Sequence, residues 1–500
     1  MSNIRRQSII SSMIVYFGFA LGFLNTYLLT KEGVFTTAQY GLTQVFVSIA
    51  NVMFSFATLG MQSYIYKFYP YYNDNLPPRK NDMITWALLI CISGFLMVSL
   101  AGILLKDFVI RKYVTNAPDI IRYYYWLFPF GFGLTIYSVL EAYGWQLKKS
   151  VFTNFLKEVQ FRLFTTLLIV LFYVGVITSF TNFIYVYSLT YLFIAIILFG
   201  YLLWSKNITI TFSISKVTRK FYKKILALAA FVWSGSLVYN IANVFDTLVI
   251  AAVLPNGLAY AGIYSLAQNI ASLIQAPQRG VISASIAPLS KAWKDKDYDR
   301  INRVYHKSSI NQLIFSVGMF ILIFLNFQDG VITFSMKSAY LEAFPILWYI
   351  GIMRILDMGT GLNAQIIGTS TFWRFEFFTG IILLAMALPL NYILTKQMGA
   401  IGPAISNLIA FTIYNVIRCT FLYKKFGMQP FTWKSGITLV LGLVCGAICY
   451  FLFDHYTGFG WIVLRSVVFV LLFGGGTVIM NLSPDLMPVL GTIKNKILRK

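Results

Sequence analysis

Runs of about 20 apolar residues recur at short intervals along the whole of this chain. A helix of that length spans the roughly 30 Å hydrocarbon core of a bilayer, because each residue adds 1.5 Å. Of the 500 residues, 58% are hydrophobic and only 11% are charged, and a soluble domain of this size cannot bury so much apolar surface. The sequence therefore predicts an all-α, polytopic membrane protein.

The breaks between the apolar runs predict about fourteen transmembrane helices. Their approximate limits are 9–30, 40–66, 83–105, 122–145, 152–177, 181–204, 223–253, 258–288, 308–327, 342–367, 375–395, 399–423, 436–453 and 459–481. An even number of spans places both termini on one side of the membrane. The first run has no small-residue cleavage site after it and is interpreted as a span, not a signal peptide.

Lysine and arginine are distributed unevenly over the loops. If the N-terminus is cytoplasmic, the cytoplasmic segments carry 29 of these residues and the opposite loops carry 7. Such an excess predicts cytoplasmic termini, and it explains the net charge of +23 without nucleic-acid binding. The basic outer loop 106–122 is the exception to this pattern.

A weak internal repeat divides the chain. Residues 25–51 align without a gap on 246–272, which places Asn25 on Asp246 and Gly41 on Gly262. Leu140-Glu141 and Leu356-Asp357 recur at a similar offset. We expect two pseudo-symmetric six-helix lobes, 1–205 and 206–425, followed by two C-terminal helices and a basic cytoplasmic tail in 426–500.

Motifs for enzymatic chemistry are absent from the sequence. There is no nucleotide-binding G-x-x-x-x-G-K-[ST] pattern, so no ATP site is expected. The four cysteines fall in or at apolar runs and are interpreted as packing residues, and no metal or other cofactor is predicted. The outer loops are too short for a catalytic domain. We expect a protein that is not an enzyme.

Ionisable residues within the apolar runs are the strongest functional signal. Each costs at least about 2.5–3.5 kcal/mol at the bilayer centre and therefore needs a polar cavity or a partner. The set predicted from the sequence is Glu141, Arg162, Asp246, Arg279, Arg354, Asp357 and Arg465.

Asp246 and Arg279 lie on consecutive predicted helices. Asp246 has no basic residue within a helical turn, which favours a coupling or gating site that binds a cation or proton; a structural hydrogen bond is the alternative. Arg279 follows Pro277, which should kink the helix. A guanidinium there suits phosphate recognition at a substrate-binding site. A salt bridge to Asp246 and snorkelling to the interface are the alternatives.

Arg354 and Asp357 are spaced to pair on one helix, as an internal ion pair or as part of a site for substrate (Arg354) and coupling (Asp357). Glu141 is a further coupling or gating candidate. It lies within two turns of Lys148, and this spacing predicts an interfacial ion pair.

Two other arginines have simpler interpretations. Glu158 and Arg162 are spaced as an i, i+4 ion pair near the inner face. Arg465 lies near the outer end of the last predicted span, and its side chain is expected to snorkel toward the interface.

Three stretches resemble the polysaccharide transporter branch, which includes O-antigen flippases, of the multidrug/oligosaccharidyl-lipid/polysaccharide exporter superfamily. They are NVFDTLVIAAVLPNGLAYAGIYSLAQNIASLI, GAIGPAISNLIAFTIYNVIRCTFLYKKFG and AQYGLTQVFVSIANVMFSFATLGMQSYIYKFYP. The resemblance covers nearly the whole chain, although Thr247 stands where the family often has arginine.

The resemblance implies two helical lobes around a central, often cationic cavity in the bacterial inner membrane. It implies alternating-access transport of undecaprenyl-pyrophosphate-linked oligosaccharide for cell-surface polysaccharide, with possible coupling to H⁺ or Na⁺. Membrane lipids are the other expected partners. A cation-coupled multidrug exporter of the same fold is the alternative, and a membrane polysaccharide polymerase is a third hypothesis.

Overall fold

The structure is a computed structural model that describes residues 3–454 and 456–485. The described residues form helices joined by short turns, without a β-strand, as predicted. Within these described ranges, ten helical segments are long and apolar enough to cross a membrane, which identifies a multi-pass membrane protein. The predicted basic tail lies outside the described residues. The chain divides into two compact units, one ending at Gly262 and one beginning at Ile263.

The first unit contains twelve described helices and the start of a thirteenth. They are α1 (Asn3–Thr30), α2 (Thr37–Ala57), α3 (Met61–Asn75), α4 (Met83–Leu104), α5 (Lys106–Tyr113), α6 (Pro118–Arg122), α7 (Leu127–Gln146), α8 (Ser150–Asn154), α9 (Phe161–Tyr173), α10 (Phe180–Ser188), α11 (Thr190–Trp204), α12 (Lys216–Val253) and α13 (Gly257–Ala271). A π-helical turn, Phe155–Gln160, joins α8 to α9. A core of aliphatic and tyrosine side chains from α3, α4, α7 and α11 holds the unit together.

The second unit contains the end of α13 and the remaining described helices. They are α14 (Gln278–Lys294), α15 (Tyr298–Thr333), α16 (Ala343–Gly359), α17 (Asn363–Thr369), α18 (Trp373–Met398), α19 (Gly402–Phe426), α20 (Trp433–Phe453) and α21 (Phe459–Ile479). A smaller apolar cluster packs the ends of α14, α15 and α19 around α17.

Each predicted apolar segment coincides with one helix or with two helices separated by a break. The predicted span 40–66 is wrong as a continuous helix, because the chain turns at Gly60, whose φ is 75°, between α2 and α3. The predicted span 342–367 is likewise interrupted at Gly361, whose φ is 65°. Glycine adopts such left-handed angles without steric cost. The number of helices that cross the membrane remains a prediction.

The long helix α12 is held at both ends within the first unit. At its start, the buried Asp82 carboxylate accepts hydrogen bonds from the Ser215 amide at 2.9 Å and the Thr218 hydroxyl at 2.7 Å. At its end, the Asn116 amide donates to the Ala252 carbonyl at 2.8 Å. Asn116 belongs to the basic loop 106–122, so this loop satisfies a carbonyl that the helix end leaves open.

Two glycines matched by the predicted repeat contact each other. Gly41 of α2 packs against the first turns of α13, where a Cβ atom would overlap the Leu258 carbonyl oxygen. A Cβ atom on Gly262 would lie 2.7 Å from the Thr37 carbonyl oxygen and 3.0 Å from the Gly41 nitrogen. Only glycine permits so close a backbone approach at both positions.

Candidate functional site

A polar network around Asp357 crosses the second unit. One Asp357 carboxylate oxygen accepts hydrogen bonds from the side-chain amides of Gln275 at 3.4 Å and Gln278 at 3.3 Å. The other oxygen accepts from the Asn415 side chain at 3.1 Å. The network therefore joins the break before α14 to the end of α16 and the middle of α19.

Pro277 explains why the two glutamines reach this position. The chain leaves α13 at Ala271, forms the 3₁₀ turn Ser272–Gln275 and begins α14 after Pro277, as the predicted kink requires. Proline lacks a backbone N–H and so stands most easily at the start of a helix. The break turns Gln275 and Gln278 toward α16.

Asn415 connects Asp357 to further polar side chains. It is 4% exposed, and its carbonyl oxygen accepts hydrogen bonds from the Thr360 hydroxyl at 3.0 Å and the Asn363 amide at 2.8 Å. Asn363 is itself buried at the start of α17. These bonds satisfy the side-chain oxygen of a buried amide that would otherwise be costly.

Arg418 lies one turn beyond Asn415 in the same helix. Its guanidinium forms an ion pair with Glu376 of α18, donates to the Tyr414 hydroxyl and lies 3.5 Å above the Tyr414 ring. The Asp357 carboxylate also interacts electrostatically with Arg418. The Arg418 side chain is only 5% exposed, so its charge lies inside the protein.

Of the two predicted substrate-binding residues, the structure describes the side chain of Arg354 only. Arg354 is half-buried in α16, one turn before Asp357. The Arg279 side chain lies outside the described part of the structure. Its backbone follows Gln278, which contacts Asp357, so the chain at Arg279 runs beside the end of α16. The Arg354–Asp357 ion pair remains a prediction.

Asp246 is buried in the first unit. Its side chain belongs to the last two turns of α12, is 3% exposed, and is followed by the equally buried Thr247. The carboxylate therefore lies inside the protein and not on a lipid-facing surface. Asn25, its counterpart in the predicted repeat, is also buried, and it bonds to the Arg162 carbonyl at 2.9 Å and the Thr166 hydroxyl at 2.6 Å.

The predicted ion pair of Glu141 exists with a different partner. Lys157 binds the Glu141 carboxylate at 3.1 Å, whereas Lys148, the expected partner, follows the end of α7 with a φ of 59°. The chain reverses after α7, and the π-helical turn brings Lys157 back against it. The prediction of a Glu158–Arg162 ion pair is confirmed, with an N–O distance of 2.6 Å.

Arg465 does not snorkel, and that prediction is wrong. Its side chain is 7% exposed and forms an ion pair with Asp329 of α15 at 3.5 Å. It also donates to the carbonyls of Leu325 at 2.8 Å and Tyr456 at 2.7 Å. The guanidinium therefore holds α21 to α15 from inside the second unit.

Residues able to bind a metal do not cluster in the part of the chain that the structure describes. No group of three or more histidine, cysteine, aspartate or glutamate side chains has a metal-binding arrangement in the described ranges 3–454 and 456–485.

Comparison with solved structures identifies this fold. The inward closed conformation of the lipid II flippase MurJ superposes with a TM-score of 0.72, covering 96% of this chain and 100% of its own at 16% identity. An inward-facing MATE family transporter of the MOP superfamily superposes with a TM-score of 0.63, covering 84% of this chain and 98% of its own at 15% identity. The chain has the fold of the MOP superfamily.

A third MOP-superfamily structure, an outward-facing MATE family transporter, superposes with a TM-score of 0.54 at 14% identity, covering 84% of this chain and 96% of its own. No family model and no curated protein matches the sequence. These neighbours are described as a flippase and as transporters. The MOP fold also agrees with the superfamily resemblance found in the sequence.

Proposed function

We propose that this protein is a flippase for undecaprenyl-pyrophosphate-linked oligosaccharide, the precursor of a cell-surface polysaccharide. It acts in the bacterial inner membrane by alternating access, with both termini in the cytoplasm. The proposal rests first on the extent of the structural likeness. MurJ matches 96% of this chain, whereas the two MATE structures each leave about a sixth of it without a counterpart.

The arrangement of charge supports an anionic substrate. Gln278, the residue before Arg279, bonds to Asp357 on the helix that carries Arg354, and this contact supports a shared site for the two arginines. Guanidinium groups bind phosphate oxygens bidentately and stay charged at any physiological pH. A pyrophosphate carries the charge that two such groups recognise.

The energy for transport is proposed to come from an ion gradient. The sequence has no ATP-binding motif, and moving one charge through 100 mV supplies about 2.3 kcal/mol. Asp357 and Asp246 are the proposed coupling carboxylates for H⁺ or Na⁺. Glu141, held by Lys157, is proposed as a gating ion pair.

Substitution of Arg279 tests the proposed function. Arg279→Ala is expected to lower surface polysaccharide at least tenfold, about 1.4 kcal/mol, because the pyrophosphate loses a bidentate contact. Polysaccharide would be measured on cells lacking the chromosomal gene and expressing each variant, with protein level measured by immunoblot. Arg279→Lys keeps the charge but not the planar fork and should show a partial loss.

The matched control for this test is Lys294→Ala, which removes an exposed positive charge from the last turn of the same helix. It should leave surface polysaccharide unchanged. Normal polysaccharide in Arg279→Ala at wild-type protein level would remove Arg279 from substrate binding.

A cation-coupled multidrug exporter is the second candidate. The MATE structures favour it, and so do the buried acid Asp246 and the half-buried Glu376 and Asp357. It predicts that deletion of the gene raises drug susceptibility and leaves surface polysaccharide intact, the opposite of the flippase outcome. Polymerisation of glycolipid by the purified protein would instead support the third hypothesis, a polysaccharide polymerase.

A further inference from the structure

A groove runs along the surface of the second unit between α18 and α19. Its volume is about 450 Å³, and it is lined by Phe375, Val416, Ile417, Thr420, Phe421, Lys424 and Lys425. Six of these residues belong to the last turns of α19. Residues 416, 420 and 424 stand one above another on the helix, because positions four apart share a face.

The floor of the groove is aromatic and fixed. The rings of Phe375 and Phe421 stack with their centroids 4.0 Å apart and so bridge the two helices. Val416, at the far end of the groove, is 57% exposed, and the wall between it and the floor is built from Ile417 and Thr420. An extended hydrocarbon chain fits such a surface, whereas a hydrated solute would gain little from it.

The other end of the groove carries two positive charges. Lys424 and Lys425 are exposed in the last turn of α19, and neither forms an ion pair with any residue that the structure describes. The nearest acid on α18, Glu376, is already bound to Arg418. The Lys425 ammonium group also lies 5.5 Å from the centroid of the Phe372 ring, a cation–π contact that leaves its charge uncompensated by an acid.

Lysines at a helix C-terminus also interact favourably with the helix dipole. That interaction accounts for basic residues at this helix end, but it does not account for the apolar groove that ends beside them. An apolar groove that ends at two lysines without an ion-pair partner among the described residues is complementary to a phosphate group attached to a long hydrocarbon chain. Basic pockets between transmembrane helices at the cytoplasmic face commonly bind anionic headgroups in this way.

We propose that this groove is a binding site for an anionic phospholipid of the surrounding bilayer. One acyl chain lies on the stacked rings of Phe375 and Phe421 and extends to Val416. The phosphate lies between the ammonium groups of Lys424 and Lys425. The site is separate from the proposed transport residues, because none of the residues that line the groove bonds to Asp357 or takes part in the Arg418–Glu376 ion pair.

Binding would be measured on the full-length purified protein by native mass spectrometry, titrating phosphatidylglycerol against phosphatidylcholine. The wild-type protein is expected to retain phosphatidylglycerol preferentially. Lys424→Gln/Lys425→Gln should weaken this binding about tenfold or more, because the variant loses both positive charges that attract the anionic headgroup. Val416→Trp should weaken binding of both lipids by filling the groove.

Matched controls separate this site from general effects. Lys223→Gln/Lys224→Gln removes two exposed lysines from α12, and Val440→Trp adds the same bulk to an exposed valine of α20. Both should bind phosphatidylglycerol as the wild type does. Melting temperatures of all variants would establish that each remains folded.

A competition arm distinguishes bulk phospholipid from a polyprenyl carrier. Undecaprenyl phosphate, added at a tenth of the phosphatidylglycerol concentration, should not displace the bound phospholipid. Displacement would identify the polyprenyl carrier as the occupant and overturn the proposal as stated. Equal phosphatidylglycerol binding by the wild type and the Lys424→Gln/Lys425→Gln variant would also overturn it.

Discussion

Two arginine–carboxylate pairs of the second unit differ in how completely their polar atoms are bonded. Arg465 and Asp329 form the first pair, with 7% and 6% of their side chains exposed. The guanidinium also binds backbone carbonyls, and Asp329 accepts further bonds from the Thr333 hydroxyl at 2.8 Å and the Gly458 amide at 3.0 Å. Nearly every charge-bearing atom therefore has a fixed partner.

Arg418 and Glu376 form the second pair, and this pair is incompletely bonded. The Glu376 atom Oε2 and the Arg418 atom Nε are buried and have no hydrogen-bond partner among the described residues. Glu376 is 23% exposed, whereas Arg418 is 5% exposed. A buried polar atom without a hydrogen-bond partner destabilises the folded protein. A rearrangement that gives these two atoms partners would therefore lower the free energy.

The difference separates a structural pair from a candidate functional one. A buried pair with all of its bonds made stabilises one arrangement of α15 and α21. Any other arrangement would break these bonds and would be less stable. The pair beside Asp357 has unmet bonding capacity, and its glutamate side chain is 23% exposed. Arg465–Asp329 therefore stabilises the fold, and under the proposed transport function Arg418–Glu376 is the pair expected to change partners.

The largest expected effect is on stability and comes from Arg465. Arg465→Ala should lower the free energy of unfolding by about 3–5 kcal/mol, because Asp329 would remain buried as an unpaired charge. Thermal unfolding in detergent measures this, with the exposed Lys396→Ala as control. Replacing both partners, as Arg465→Met/Asp329→Leu, should recover much of the loss. Unchanged melting in Arg465→Ala would contradict the structural role.

Arg418→Ala should have a smaller effect on stability and a larger one on transport. A loss of about 1–3 kcal/mol is expected, because the partly exposed Glu376 can be hydrated once its partner is removed. Surface polysaccharide should nevertheless fall at least tenfold. The comparison fails if Arg418→Ala destabilises the protein as much as Arg465→Ala, or if it leaves polysaccharide unchanged while Arg465→Ala abolishes it.

The smallest effect is expected for an ion pair of the first unit. Glu158 and Arg162 are 21% and 24% exposed and lie four residues apart on one helical stretch. Such partly exposed pairs contribute about 0.5 kcal/mol or less. Glu158→Gln should therefore shift the melting temperature by about 1 °C or less. If Glu158→Gln destabilised the protein as much as Arg465→Ala does, the exposure of an ion pair would not predict its contribution to stability.

Arg465 also shows where sequence reasoning stops. Its position near the end of an apolar run predicted snorkelling, yet its ion-pair partner lies 136 residues earlier in the chain. Asp329 was placed outside the predicted span because the apolar run ends two residues before it, whereas α15 continues to Thr333. Hydropathy locates a helix end only within several residues.

Glu376 and Arg418 were missed for a similar reason. Each lies close to the end of a predicted span, and residues in such positions are commonly hydrated. A signal was nevertheless present, because Tyr414, Asn415 and Arg418 share a helix face at i, i+1 and i+4. A polar face on an apolar helix indicates contact with other polar groups.

The sequence by itself determined the all-α class, the membrane location, the approximate helices and the superfamily resemblance. These properties depend on the hydrophobicity and length of the apolar runs, each of which is contained in about twenty consecutive residues. Only the tertiary structure decided which charges pair, that Lys157 binds Glu141 and that Gly41 contacts Gly262. Such contacts join residues up to about 220 positions apart, and they depend on helix packing that no local pattern encodes.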